Sequence, residues 1–260
     1  MKQNNLNLTV YFVDCKTPVL TEIAILSFEK FKTENFNINY IIIENSDFNL
    51  NQHLENLRNY LGKDIQIEIF NNETISKFSH AHGEGLEYAK DKIKTEYVFT
   101  CHNDVCVTSQ KFFNELEKLI KNKTDLAGVC EDSNTNRVKA LHCSGLLCKT
   151  EIFKKISLLP ELPKIDTADK LTLYVRENNL KEYLFKNTYN DKTLCSKINE
   201  PYRSLGENCG IDRCVNDDYE VIFMHQGRGT TKHQNNYHKP GKIMTQDWLL
   251  LCQKILNEAK

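Results

Sequence analysis

Leu8-Thr-Val-Tyr-Phe-Val-Asp14 is a short run of β-branched and aromatic residues, and Thr17-Pro18 follows it with a capping residue and a proline suited to the first helical position. The chain therefore passes from strand to helix within a few residues. Leu20, Ile23, Ala24, Ser27 and Phe31 then recur at helical spacing, so one face of this helix is largely apolar and can lie on a sheet. Tyr40 to Ile43 is a continuous apolar run, as a strand buried on both faces requires, and it ends in the polar turn Glu44-Asn45-Ser46-Asp47. An amphipathic stretch through Leu54, Leu57 and Leu61 leads to Ile65, Ile67 and Ile69, whose alternation with polar residues predicts a third strand. Residues 79–93 set His82, Leu86, Ala89 and Ile93 on one helical stripe, and Tyr97 to Cys101 is a fourth strand that breaks at His102-Asn103-Asp104. Strands alternating with helices predict an α/β fold with a central, mostly parallel sheet, right-handed crossovers, and ligands beyond the carboxyl ends of the strands.

Downstream, Phe112, Phe113, Leu116, Leu119 and Ile120 predict an amphipathic helix, and Leu126 to Cys130 is strand-like. Residues 187–218 carry the least regular pattern and read as a loop or insertion. From Thr245, the helical spacing of Trp248, Leu251, Cys252 and Ile255 points to packing or self-association. No linker, low-complexity tract or internal repeat divides the chain, so 1–260 reads as one domain.

Composition narrows the function. Over 260 residues, 40% are apolar, 27% charged, and the formal net charge is -1, which leaves no electrostatic footprint for nucleic acid. The amino terminus lacks the pattern of a secretory signal, and the longest apolar runs fall far short of the ~20 residues that span a bilayer. A cytoplasmic protein is expected, with a peripheral place at the inner face of a membrane left open. The ten cysteines read as free, mostly buried thiols, with zinc held through Cys195, Cys209, Cys214 and a nearby histidine as the alternative.

The polar clusters Asp14, Glu44 to Asp47 and His102 to Asp104 each follow an apolar run directly, so the topology gathers them at one end of the sheet. At a strand terminus, an imidazole and a carboxylate two residues apart can converge on one divalent ion that also binds diphosphate oxygens. Such an ion offsets the charge that develops as a glycosidic bond breaks.

On these stretches the sequence resembles family 2 glycosyltransferases and their relatives with the GT-A fold, across roughly residues 8–230. Tyr40 to Asp47 resembles the strand and turn whose acidic residue contacts the nucleobase or ribose, with Glu44 where Asp is commoner. Thr95 to Asp104 resembles the strand that ends in the family's DXD metal motif, with His102 at the first acidic position and Asp104 as the ligand that carries over. His142-Cys-Ser-Gly-Leu-Leu147 resembles the segment where a small residue lets the backbone approach the donor sugar. Asp166-Thr-Ala-Asp169, opening a helix through Leu171 and Val175, resembles the motif that supplies the catalytic base of inverting members. Val221 to Thr230 resembles the strand carrying the late histidine that completes the metal site, here His225, before a turn in which Arg228, and with it Lys232, can meet phosphate.

The resemblance implies Mn²⁺ or Mg²⁺ on Asp104, His225 and His102, and a nucleotide diphosphate sugar donor of UDP or GDP type. Asp14, Glu44, Asn45, His82, Asn103, Ser144, Gly145 and Arg228 would meet that donor, and Asp169, with Asp166 as alternate, would be the base. The acceptor would be a glycan or lipid-linked hydroxyl, in keeping with bacterial surface glycan synthesis. It also implies a nucleotide-binding part at 8–106, an acceptor-side part at 107–240 and a carboxyl-terminal helix at 243–258. Two other readings stand beside this one. A noncatalytic nucleotide-sugar-binding protein would keep the fold without the metal, and a nucleotidyltransferase would carry a glycine-rich basic loop after its first strand, where this chain has Asp14-Cys-Lys-Thr-Pro18.

Overall fold

In the computed structural model, residues 5–62, 65–235 and 243–258 are described, without the side chains of 206–209. Strand β1 (Leu6–Asp14) runs into helix α1 (Pro18–Phe31), with Pro18 in its first turn. β2 (Phe36–Glu44), the short helices α2 (Leu50–His53) and α3 (Glu55–Leu61), β3 (Gln66–Asn71), α4 (Phe78–Tyr88) and β4 (Tyr97–Cys101) follow in the expected alternation. Next come β5 (Val105–Val107), α5 (Lys111–Lys121), β6 (Leu126–Gly128), β7 (Gly145–Lys149), α6 (Thr150–Lys155), α7 (Asp169–Glu177) and β8 (Glu182–Leu184). The chain closes with β9 (Lys186–Asn187), α8 (Tyr202–Cys209), β10 (Asp212–Val215), β11 (Val221–His225), α9 (Gly229–His233) and α10 (Thr245–Glu258).

The main sheet has seven strands in the order β3-β2-β1-β4-β7-β6-β8. The first four are mutually parallel, and β7 runs antiparallel to both of its neighbours. Because side chains alternate across a strand, β1 feeds two cores at once. Val10 and Phe12 pack with Tyr40, Ile42, Phe99 and the apolar faces of α1, α5 and α10, whereas Tyr11 packs with Ile41, Ile43, Val98 and residues of α4, α6 and α7. Phe28 of α1 anchors the first core, its ring 6.1 Å from those of Phe12 and Phe112 and 6.2 Å from that of Phe113. Trp248, fully buried, seats α10 against α1 in the same core. Packing within the chain thus accounts for Trp248, Cys252 and Ile255, and among the described residues no helix is long and apolar enough to cross a membrane.

The structure departs from the sequence reading in two places. The stripe at residues 79–93 is α4 followed by a 3-10 turn at Lys90–Lys92, although Leu86, Ala89 and Ile93 are all buried as their spacing requires. The buried Tyr11 hydroxyl lies 3.2 and 3.0 Å from the carbonyls of Gly85 and Leu86 and 3.3 Å from the Ala89 amide, so it takes over groups that another helical turn would have paired. Residues 187–218 are not an insertion. They supply β10, which with β5, β11 and β9 forms a second, antiparallel sheet in the order β5-β11-β10-β9. Its centre is the buried Arg213, whose guanidinium donates to the carbonyls of Tyr202 and Arg203 and to Cys195 Sγ. Cys214 Sγ meets the Val129 carbonyl at 3.1 Å, so neither of these two thiols stands in a metal cluster among the described residues, and the Cys209 side chain lies outside them.

Candidate active site

The two sheets meet at the carboxyl end of β4. β5 pairs with β11 so that Val105 faces His225, and the Gln226 amide donates to the Asp104 carbonyl at 2.9 Å. Residues distant in sequence are thereby brought together: His102 Nδ1 is 3.2 Å from His225 Nε2, which is 3.4 Å from Asp104 Oδ1, and His102 Nδ1 to Asp104 Oδ1 is 3.8 Å. Ligand atoms around one divalent ion bonded at about 2.1 Å sit about 3–3.5 Å apart, so this nitrogen and carboxylate set fits a metal.

Burial works against the charge on His225, but Asp104 and Asp212, on opposite edges of its ring, outweigh it and raise its pKa to about 10. Asp104 is likewise opposed by burial, yet His225 and the Gly229 amide hold its carboxyl well below the usual range. Asp104 is therefore ionised at any working pH, as a metal ligand must be, whereas His225 is protonated before an ion arrives and has to release its Nε2 proton to bind one.

Gly229 has its own reason to be glycine. Its amide donates to Asp104 Oδ2 at 2.8 Å, and an added Cβ would stand 2.4 Å from Asp104 Cβ. The Gly229→Ala variant is expected to displace Asp104, to cost about 1–3 kcal/mol of stability by overpacking, and to lose metal affinity by tenfold or more. Melting curves with and without Mn²⁺ measure both effects.

Next to this triad stand the residues expected to meet the donor, and the structure divides them. Asp14 is fully buried, accepting from the Thr17 amide at 2.9 Å, from the Thr21 hydroxyl, and from Asn103 Nδ2 at 3.0 Å. Asp14 and Asn103 thus lock the first turn of α1 to the end of β4. Asn45 clamps β2 to α4, its Nδ2 on the Ala81 carbonyl at 2.6 Å and its Oδ1 on Asn72 Nδ2 at 2.9 Å. Ser144 is buried beside Cys130 Sγ at 3.4 Å, and the space above Gly145 is filled by Val129, 2.8 Å from an added Cβ, rather than left for a sugar.

Glu44 differs. It faces Asp14 across the β1–β2 register, its Oε2 is buried with no hydrogen-bond partner among the described residues, and burial first, then the Asp14 charge, push its pKa to about 8. A proton on Glu44 is shared with the neighbouring Asp14 carboxylate, which faces it across the register. Arg228 is exposed at the tip of the turn after β11, in the left-handed region at φ 62°, while Lys232 is buried with Nζ on the Gln226 carbonyl at 3.2 Å.

Asp166 and Asp169 stand at the start of α7 and bracket one turn. The Asp166 amide donates to Asp169 Oδ2 at 2.6 Å, and the Asp166 carboxylate pairs with Arg137, which also reaches Asp132 at 3.2 Å. Among the described residues Asp169 forms no ion pair, and Arg137 acts on it only from a distance. Burial first, then the Asp166 and Asp132 charges, raise its pKa to about 6 despite the amide it accepts from.

Sequence reasoning missed three contributors. Asp212 lies in the stretch read as a loop, opposite His225 in the β10–β11 register. Arg137 and Cys143 have no pattern to mark them, because only the fold sets them beside Asp166 and His102. An open groove of about 730 Å³ lies at the other end of the sheet, among Asn7, Asn37, Gln66 and Tyr97, and no site residue lines it.

No protein-family model matches the chain, and no curated protein sequence does. Solved structures do. A mannosyltransferase from Pyrobaculum calidifontis, determined with GDP-Man and Mn²⁺, superposes with a TM-score of 0.54 at 10% identity, over 69% of this chain and 55% of its own. The glycosyltransferase GlyE of Streptococcus pneumoniae superposes with a TM-score of 0.55 at 12% identity, over 98% of this chain and 63% of its own. The chain thus spans between about half and two thirds of the length of these structures. Identities this low speak to architecture alone. The parallel β3-β2-β1-β4 half, the strand reversal at β7 and the match to both enzymes give one conclusion: this chain has the GT-A glycosyltransferase fold.

Proposed function

We propose that the protein is an inverting, metal-dependent glycosyltransferase that moves a sugar from a UDP- or GDP-type donor to a hydroxyl of a glycan or lipid-linked acceptor, on the cytoplasmic side, in surface glycan synthesis. The observation that carries this reading is the Asp104–His225–His102 triad at the carboxyl edge of a GT-A sheet. Asp104 and His225, with His102 in reach, would hold Mn²⁺ or Mg²⁺, which as a Lewis acid supplies charge compensation to the departing diphosphate.

The chain's own groups do the rest. Glu44, buried at the end of β2, would meet the nucleoside. Arg228 and the amides of the turn around it face the diphosphate, where a guanidinium pairs in bidentate fashion. The acceptor oxygen attacks the anomeric carbon from the side opposite the nucleotide, forming the new glycosidic bond as the old carbon–oxygen bond breaks. The hydroxyl proton passes to the Asp169 carboxylate, and the nucleoside diphosphate leaves with the bonding pair. Asp166, held by Arg137, orients the turn and is the alternate base.

A thermal-shift panel of UDP, GDP and their sugar conjugates, with and without Mn²⁺, tests the donor site. A nucleotide at about a hundred times its dissociation constant adds about 2.7 kcal/mol, a rise of a few degrees. A shift with one base that requires metal supports the transferase. A metal-independent shift without turnover supports a noncatalytic binder, and no shift at all removes the donor-site reading.

A further inference from the structure

The histidine cluster extends beyond the triad. His82 on α4, His102 after β4 and Cys143 before β7 converge on the far side of His102, and their ligand atoms all lie within 4.8 Å of one another. His102 Nε2 is 3.4 Å from Cys143 Sγ, and His82 Nδ1 is 3.8 Å from the same sulfur. Around a tetrahedral ion bonded to nitrogen at about 2.1 Å and to sulfur at about 2.3 Å, nitrogen and sulfur stand about 3.6 Å apart, and the two observed separations bracket that edge.

Several features hold the three groups in place. The antiparallel pairing of Cys101 with Gly145 fixes His102 beside Cys143. Gly83 and Gly85 let α4 sit close to its neighbours, where an added Cβ would meet Pro160 Cδ at 2.9 Å and Val13 Cγ1 at 2.8 Å, and this closeness brings His82 within reach. Both imidazoles meet one sulfur, whose thiol can donate to only one of them and would have to accept from the other.

We propose that His82, His102 and Cys143 form a second metal site that takes one borderline d-block ion, Zn²⁺ or Co²⁺, separate from the ion on Asp104 and His225. Two nitrogens and a thiolate select against Mg²⁺, and three protein ligands leave the fourth position to water. Binding forms the metal–sulfur bond and releases the Cys143 proton to solvent, with no change of oxidation state. A neutral imidazole has one lone pair, so Nε2 on this ion leaves Nδ1 protonated toward Asp104 and His225. His102 then belongs to this second site and leaves the first ion to Asp104 and His225.

The test is a Co²⁺ titration of the reduced, chelator-stripped full chain, read by the near-ultraviolet thiolate-to-cobalt absorption, followed by displacement with Zn²⁺. The wild type should show the band at one equivalent. Asp104→Asn should keep it, while Cys143→Ser should lose it and His82→Gln should weaken Co²⁺ binding by tenfold or more, with circular dichroism confirming the folded state of each. A wild type without the band, or a Cys143→Ser chain that retains it, overturns the proposal. The readout needs no nucleotide or sugar, so it stands or falls apart from transferase activity.

Discussion

For Asp104→Ala, the proposed function predicts a loss of turnover of about a thousandfold and of the metal dependence of nucleotide binding. The magnitude follows from what the carboxylate does: a metal on a transferring diphosphate supplies several kcal/mol of transition-state stabilisation, and each 1.4 kcal/mol is about tenfold in rate. Asp104 is central to the triad, since it also orients Gly229 and offsets the charge of His225. Without it, His225 keeps only Asp212, at 3.6 Å, as an anion beside its ring. Isothermal titration of the matching nucleotide with Mn²⁺ and with chelator measures the loss. If Asp104→Ala bound nucleotide with the wild-type metal dependence, the ion would have to sit elsewhere.

For Asp169→Asn the proposed function predicts a loss of turnover of about 10²–10⁴-fold with nucleotide affinity within about twofold, because general-base catalysis is worth that much and the amide keeps the cap on the Asp166 N–H. The pH profile gives the second signature. The base must be ionised, and with a pKa near 6 the wild-type rate falls about tenfold per unit as pH drops below that value and levels off above it. The residual rate of Asp169→Asn should lack this limb. Asp166→Asn breaks the Arg137 pair and should lower thermal stability more than it alters the limb. If Asp166→Asn instead erased the limb and Asp169→Asn kept it, the roles would be exchanged.

The sheet was legible where single runs carry the whole signal. β1, β2 and β4 are buried on both faces through residues 10–12, 40–43 and 97–99, so each carries a continuous apolar run that needs no tertiary information to see. Of the second sheet only β11 was legible, from its apolar run Val221–His225, whereas β9 and β10 are two and four residues long and lie in the stretch read as a loop or insertion. Strand ends raised a different difficulty. Asp14, Asn45 and Asn103 have the composition of ligand contacts, yet the chain turns each of them inward to tie β1, β2 and β4 to the neighbouring helices. A polar residue after a strand looks the same in sequence whether it faces a nucleotide or a helix amide. Asp104 and His225 were recoverable from the motif order, whereas Asp212, Arg137 and Cys143 depend on contacts between segments far apart in the chain.

The pairing of β5 with β11 also dictates when the site can exist during synthesis. A ribosome-bound chain that has emerged only as far as residue 200 can assemble β1 to β4 and their helices, because those contacts run between neighbouring segments. Asp104 then has no imidazole from β11 and no Gly229 amide, and His102 stands with only the earlier half of the cluster. Ion binding at Asp104 and His225 therefore reports the last quarter of the polypeptide docking onto the parallel strands, and a chain truncated before β11 would lack that site while keeping His82, His102 and Cys143.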